Sequence, residues 1–260
     1  MCGIAGVVTR FPVRSGEYEP VLSRVLDRMS YRGPDGMGLW SDSRVMLGHR
    51  RLSIIDLSPA GAQPFHDEEN HLHLSFNGEV YNHLDLRTDT ISKGYRFRSR
   101  SDTEALLGAY WSYGNGFLDR LRGMFAFILY DEKRKKILFA RDRLGKKPLY
   151  YYFDGSRLLM FSELKFFHAF KDIELTIDEE SVEAFFALQY IPGPHTIYKQ
   201  IRRVMPGECL TLDMTSWEIS SHRYWSIGDH IGAPSVQHTD ADIEAMISES
   251  VRYRLIADVE

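Results

Sequence analysis

The chain has 260 residues, 43% apolar and 13% aromatic, enough for one large domain or one domain with a fragment of a second. A charged fraction of 26% and a net charge of -4 exclude the basic excess of a nucleic-acid binder. Two cysteines 207 positions apart make no disulfide framework, no Cys/His spacing suits zinc, and no apolar run reaches the ~20 residues of a membrane span. The N-terminus lacks the basic region and long apolar stretch of a signal peptide. A cytoplasmic protein with reduced thiols is expected, with no nucleic-acid or membrane partner.

The first run, Gly3 to Thr9, is small and β-branched and reads as a strand buried on both faces. Val21 to Met29 has apolar residues at helical spacing, and the Gly/Pro-rich RGPDGMG at 32–38 reads as a loop. Val45 to Leu47 and Leu72 to Phe76 are strand-like. Ser101 stands three residues before Glu104, a capping box opening the helical ALLGAYWSY. Phe125 to Tyr130 and Ile137 to Ala140 are strands flanking the cluster Lys133-Arg134-Lys135-Lys136, which a charged hairpin turn explains better than a phosphate patch.

Leu149 to Phe153 and Arg157 to Phe161 flank the turn signal Asp154-Gly155. A helix is expected from Asp178 through Gln189, ended by Ile191-Pro192-Gly193-Pro194. Cys209, in PGECLTL, reads as a buried small side chain on a strand after a turn. The pattern weakens from Trp217 to Gln237, as in a linker, and Asp240 to about Ala257 is helical again. Strands in hairpins with a few helices imply mixed layers with a largely antiparallel sheet.

Several residues carry chemistry. Cys2 is either on a ragged end or, once Met1 is removed, a thiol nucleophile with its own α-amino group as a base. The strand that follows would hold such a terminus still. Asn77-Gly78 reads as a turn or as an oxyanion site, with a side-chain amide and a backbone N–H that glycine lets approach closely. Arg50-Arg51 is a solvated basic pair or contains an inward arginine gripping a carboxylate with its two-pronged face. Asp102 sits at a helix N-terminus whose dipole should keep it ionised. With Ser101 able to cap, it is free to hold an ammonium group. Together these are parts for an α-amino acid with a side-chain carbonyl.

In order and spacing, MCGIAGVV, RGPDG, HRRLSIID, GAQPF, NGEVYNH, SDTE, RDRLGKKPLYY, FSELK, PGPHTIY and PGE resemble the N-terminal glutaminase domain of class II glutamine amidotransferases, in the asparagine synthetase branch. The resemblance runs from residue 2 to about residue 225. It implies an α+β, four-layer αββα N-terminal nucleophile (Ntn) hydrolase fold with two antiparallel sheets. It implies that L-glutamine is hydrolysed to glutamate and ammonia, with Cys2 attacking the amide and Asn77 and Gly78 forming the oxyanion hole. Arg51 would bind the α-carboxylate, because the family places arginine directly before Leu-Ser-Ile. The backbone of Leu52, Ser53, Ile54 and Ile55 would line the pocket, Glu79 and Asp102 would hold the α-amino group, and Arg32 and Gly33 would shape the loop beside the nucleophile.

The resemblance also divides the chain into a glutaminase domain at 1–212 and, at 213–260, a linker with the truncated start of a synthetase domain. SESVRYRLIADV resembles that domain's opening, but no SGG-x-DS loop follows and glutamate stands where proline usually follows Asp-Val. The expectation is a longer natural protein. This chain would need no cofactor, and ATP and magnesium would serve the missing domain, to which ammonia normally passes for asparagine synthesis or amidation of another carboxylate. Partners would be L-glutamine and that domain, with homodimerisation open. The competing reading is a non-catalytic glutamine-binding, regulatory or assembly domain that keeps the fold.

Overall fold

A computed structural model describes residues 1–14, 16–232 and 238–259. In chain order the strands are β1 (Gly3–Thr9), β2 (Gly36–Ser41), β3 (Val45–Arg51), β4 (Phe65–Asp67), β5 (Leu72–Val80), β6 (Gly123–Asp131), β7 (Lys136–Arg141), β8 (Tyr150–Phe153), β9 (Arg157–Phe161), β10 (Ile201–Arg203), β11 (Glu208–Asp213) and β12 (Glu218–Arg223). The helices are α1 (Glu19–Arg28), α2 (His83–Ser92), α3 (Asp102–Tyr113), α4 (Phe117–Arg120), α5 (Glu179–Leu188) and α6 (Asp240–Arg254).

The strands form two six-stranded antiparallel sheets, ordered β10-β8-β9-β1-β3-β2 and β12-β11-β7-β6-β5-β4. Successive strand side chains point to opposite faces, so each sheet buries two apolar surfaces and the molecule has three cores. Between the sheets, Ile4 and Val8 of β1 meet Ile128 of β6 and Phe139 of β7. On the outer face of the first sheet, Ala5 and Val7 pack with Leu22, Val25 and Leu26 of α1 and with Phe166 and Phe167. On the outer face of the second, Leu74, Phe76 and Phe127 pack with Leu106, Leu107 and Tyr110 of α3. The layers therefore run helix, sheet, sheet, helix. β1 is buried along its whole length between β9 and β3, which fixes the residue preceding it.

Several local differences from the sequence reading have physical causes. α2 lacked a signal because it is largely polar, burying only His83, Leu86 and Thr90. Only half of the capping box forms. Ser101 Oγ accepts from the Glu104 N–H at 3.2 Å, while the Glu104 carboxylate accepts instead from the N–H groups of Arg98 and Ser99 at 2.9 and 2.6 Å. The stretch after Trp217 is not all linker. β12 pairs with β11 from Glu218 to Arg223 and forms the sheet edge, so the second sheet extends past residue 212. Exposed residues fill this edge strand, which is why its apolar pattern is weak. Residues 233–237 of the expected linker lie outside the described residues. Lys133 to Lys135 do form the β6–β7 turn, with Lys135 in the left-handed region at φ 52°. Cys209 is buried on β11.

Candidate active site

The ends of β1, β3 and β5 and the start of α3 converge on a pocket of about 210 Å³. Cys2 precedes β1. Its Sγ lies 3.4 Å from the Leu52 N–H, which can donate to a thiolate, and 3.7 Å from the Leu52 carbonyl, which can accept from a thiol. Burial pushes the thiol pKa up and the Leu52 contact pulls it down. Arg32 fixes the Cys2 backbone from outside the pocket. Its Nε donates to the Cys2 carbonyl at 3.0 Å and its Nη1 to Glu163 Oε1 at 2.7 Å. Beside it, any side chain at Gly33 would collide with the Arg50 backbone, so this loop crosses β3 where only glycine fits.

Strand alternation separates the two arginines: Arg50 and Arg51 on β3 face opposite ways, and it is Arg51 that lines the pocket. Its guanidinium donates to the carbonyls of Ser58 at 3.2 Å, Ile55 at 3.3 Å and Asp56. The loop that turns back around it is held in shape by Asp56. One carboxylate oxygen of Asp56 accepts from Ser58 and the other from the Arg100 N–H at 2.8 Å. Asp258, beyond α6, closes the same loop. Its N–H donates to the Ile54 carbonyl at 2.8 Å and its carboxylate accepts from the Asp56 N–H at 2.7 Å. Leu52, Ile54 and Ile55 line the pocket; Ser53 does not, its N–H being turned to Asp35 at 2.8 Å.

β5 contributes three consecutive residues. Asn77 is 1% exposed, and neither its Oδ1 nor its Nδ2 has a hydrogen-bond partner. A buried unpaired amide costs about 1–3 kcal/mol, so this one is held ready for something that enters. Gly78 follows, so close to β6 that a Cβ would strike the Met124 carbonyl. Glu79 has its pKa raised by burial, with Lys147 opposing. Asp102, the first residue of α3, accepts from the Val80 N–H at 2.9 Å. Here the sequence expectation fails: burial outweighs the Val80 N–H, Glu79 adds repulsion, and the Asp102 pKa is pushed up to about 7. Desolvation wins over the helix dipole because the carboxyl is inside the protein, not at a solvated helix end.

The pocket thus gathers Cys2, Arg51, Leu52, Ile54, Ile55, Asn77, Gly78, Glu79 and Asp102. Sequence reasoning missed Gln63, Thr103, Met124 and Lys147 as lining residues. Gln63 was visible only inside the run GAQPF. Its Oε1 accepts from the Phe76 N–H at 2.8 Å and its Nε2 donates to Thr103 Oγ1 at 3.2 Å, tying β5 to α3 behind Asn77.

A family model for the glutamine amidotransferase domain matches residues 1–225. This chain belongs to that family. The match extends beyond β12, the last strand of the second sheet. Among curated relatives of this amidotransferase domain, asparagine synthetase [glutamine-hydrolyzing] 3 of Bacillus subtilis is 35% identical over 263 residues, covering all of this chain and 42% of the relative. Amidase chry2 of Gibberella zeae is 38% identical over 269 residues, covering all of this chain and 39% of the relative. The chain therefore spans about two fifths of the length of these relatives. Of solved structures, glutamine phosphoribosylpyrophosphate amidotransferase from B. subtilis superposes with a TM-score of 0.63 at 20% identity, over 86% of this chain and 49% of that one. That likeness speaks to the fold: the two antiparallel sheets between helical layers are those of an Ntn hydrolase. Among the described residues no helix is long and apolar enough to cross a membrane, and no group of three or more His, Cys, Asp or Glu is placed to hold a metal.

Proposed function

We propose that this pocket hydrolyses L-glutamine to glutamate and ammonia through Cys2, once removal of Met1 frees its α-amino group. The observation that carries the reading is the orphaned Asn77 amide, buried in the pocket that Cys2 also lines and adjacent in sequence to Gly78. The α-amino group takes the thiol proton, and the thiolate attacks the side-chain amide carbon. The carbonyl electron pair moves onto oxygen, where Asn77 Nδ2 and the Gly78 N–H stabilise the charge. Collapse breaks the C–N bond. The protonated amine gives its proton to the departing nitrogen, and ammonia leaves a thioester. Water, deprotonated by the same amine, adds to the thioester, and C–S cleavage returns the thiol and glutamate. Arg51 grips the α-carboxylate, the backbone of Leu52, Ile54 and Ile55 packs against the substrate, and Glu79 and Asp102 hold the α-ammonium.

The chain's relatives are longer and include glutamine-hydrolyzing asparagine synthetases, which supports ammonia passing to a synthetase-type domain of the same protein; ATP and magnesium are proposed for that domain. Asparagine synthesis is the proposed outcome; the relatives named amidases keep another acceptor in view. No glutaminase step above runs through ATP or magnesium. The test is glutamate release by chain whose intact mass shows Met1 absent, against Cys2→Ala. Release only from the former supports the nucleophile. Equal release from both refutes it, and glutamine binding without release by either favours the non-catalytic reading.

A further inference from the structure

Lys147 is a polar residue of the pocket with no role in the steps above. It is 7% exposed and lines the cavity together with Cys2 and Glu79. The segment that delivers it is built for placement. Asp142, 1% exposed, accepts from the N–H groups of Phe125, Leu144, Lys146 and Lys147 at 3.2, 3.1, 3.0 and 3.0 Å. Arg141 Nε then donates to the Lys147 carbonyl at 2.7 Å. Two charged side chains thus hold the backbone that carries one lysine into the pocket.

The two arginines near Cys2 are already committed. Arg51 is held by the carbonyls of the loop after β3, and Arg32 by Glu163 and the Cys2 carbonyl. Among the described residues Lys147 forms no ion pair. Burying an ammonium without a partner is costly, and its pKa is lowered by that burial. The charges facing it are Glu79, Cys2, Arg32 and Asp142. The largest charge effects on Cys2 come from the Met1 amine, Asp102 and Arg51. While Met1 is present, its amine is faced by Cys2, Lys147, Arg32 and Asp35. Asp102 and Glu79 oppose a thiolate, and Arg51 has its charge neutralised in part by carbonyl dipoles; besides the terminal amine, Lys147 is the positive charge of the pocket that no ion pair commits among the described residues.

We propose that Lys147 is a further working residue of this site, whose ammonium favours the Cys2 thiolate and balances the Glu79 carboxylate beside it. An opposite charge within a few ångström shifts a titration by one unit or more. The test is the pH profile of Cys2 alkylation by iodoacetamide, read by intact mass on chain lacking Met1. Cys209 stays silent because burial pushes its pKa up to about 12. Lys147→Met should move the midpoint up by about one pH unit and slow alkylation about tenfold near neutrality. Lys147→Arg should restore most of the rate, and Lys147→Gln serves if the Met variant does not fold by circular dichroism. An unchanged midpoint in the Met or Gln variant overturns the proposal, as does an Arg variant as slow as the neutral ones. The role rests on the glutaminase reading, but alkylation needs no turnover. Wild-type chain that alkylates in a Lys147-dependent way yet releases no glutamate removes that reading alone. A working glutaminase with a Lys147-independent midpoint removes this proposal alone.

Discussion

Glutamine binding should depend on pH through Asp102. In the free pocket its carboxyl titrates at about 7 because burial opposes charge. Placing the substrate's α-ammonium against it favours the ionised form, so binding below neutrality must expel a proton. If the bound pKa returns to its ordinary range, linkage gives a Kd roughly tenfold weaker at about pH 6 than at about pH 8, and about tenfold weaker again at about pH 5. Calorimetry on the Cys2→Ala variant, in two buffers of different ionisation enthalpy, measures both Kd and proton release. Release should approach one proton at the acid end and vanish at the alkaline end. Asp102→Asn should flatten the profile and weaken binding at about pH 8 by roughly 10- to 150-fold, the value of a charge-assisted contact of about 1.5–3 kcal/mol. Stability should move oppositely. Between 3.8 and about 7 the native state keeps a proton the unfolded chain has lost, so stability falls as pH rises through that window. The full displacement corresponds to about 4 kcal/mol. Asp102→Asn should therefore unfold at higher denaturant than the parent near pH 8. A flat Kd profile in the parent, or the same slope in Asp102→Asn, would refute the reasoning.

Three substitutions and one control probe the rest of the pocket. Asn77→Ala should lower kcat by roughly 10²–10³ with little change in KM; a pure rise in KM would place the amide in ground-state binding. Arg51→Lys should lower kcat/KM for glutamine by about 10- to 150-fold, whereas Arg50→Lys, on the other face of β3, should do little; the reverse pattern in glutaminase assays would move the carboxylate grip to Arg50. Gly61→Ala changes no charge, but its methyl would collide with Arg51 Nη2 and crowd the Asp56 carbonyl. It should raise KM by roughly 10- to 100-fold while sparing kcat, and unaltered steady-state kinetics would show that Arg51 needs no support from that loop.

What was legible in the sequence followed local rules. β1 was readable because every residue from Gly3 to Thr9 is small or apolar, and it is buried throughout. The β8–β9 hairpin was readable from Asp154-Gly155, with Asp154 Oδ1 accepting from the Ser156 N–H at 2.7 Å. α3 was found from its Ser101 cap, but the partner of Glu104 was not, since Arg98 and Ser99 offered their N–H groups first. α2 and β12 were missed because half-solvated elements carry weak apolar patterns. In the pocket, residue type and order pointed to Cys2, Asn77 and Arg51. Lys147 was hidden in RDRLGKKPLYY, where a lysine beside a lysine looks like a solvated surface. Only the Asp142-centred loop turns one of the pair inward: Lys146 is exposed and Lys147 buried.

The pKa of Asp102 illustrates a wider feature of this site. Asn77 lacks partners, Asp102 and Glu79 resist ionisation, and Lys147 is buried without an ion pair. Each destabilises the native state, and each belongs to a segment fixed from behind: β5 by β6 along nine paired positions, α3 by its serine cap, the Lys147 loop by Asp142. Such rigidity is required, because a flexible segment would relieve the strain by turning these groups to water or to one another. A ligand with an ammonium and a carbonyl would relieve Asp102, Glu79 and Asn77 together, and a Cys2 thiolate would relieve Lys147. The free energy withheld from folding at these positions then becomes available for binding and for the developing oxyanion. Repairing one of them, as Asp102→Asn does, should therefore strengthen the fold and weaken the site by the same physical cause.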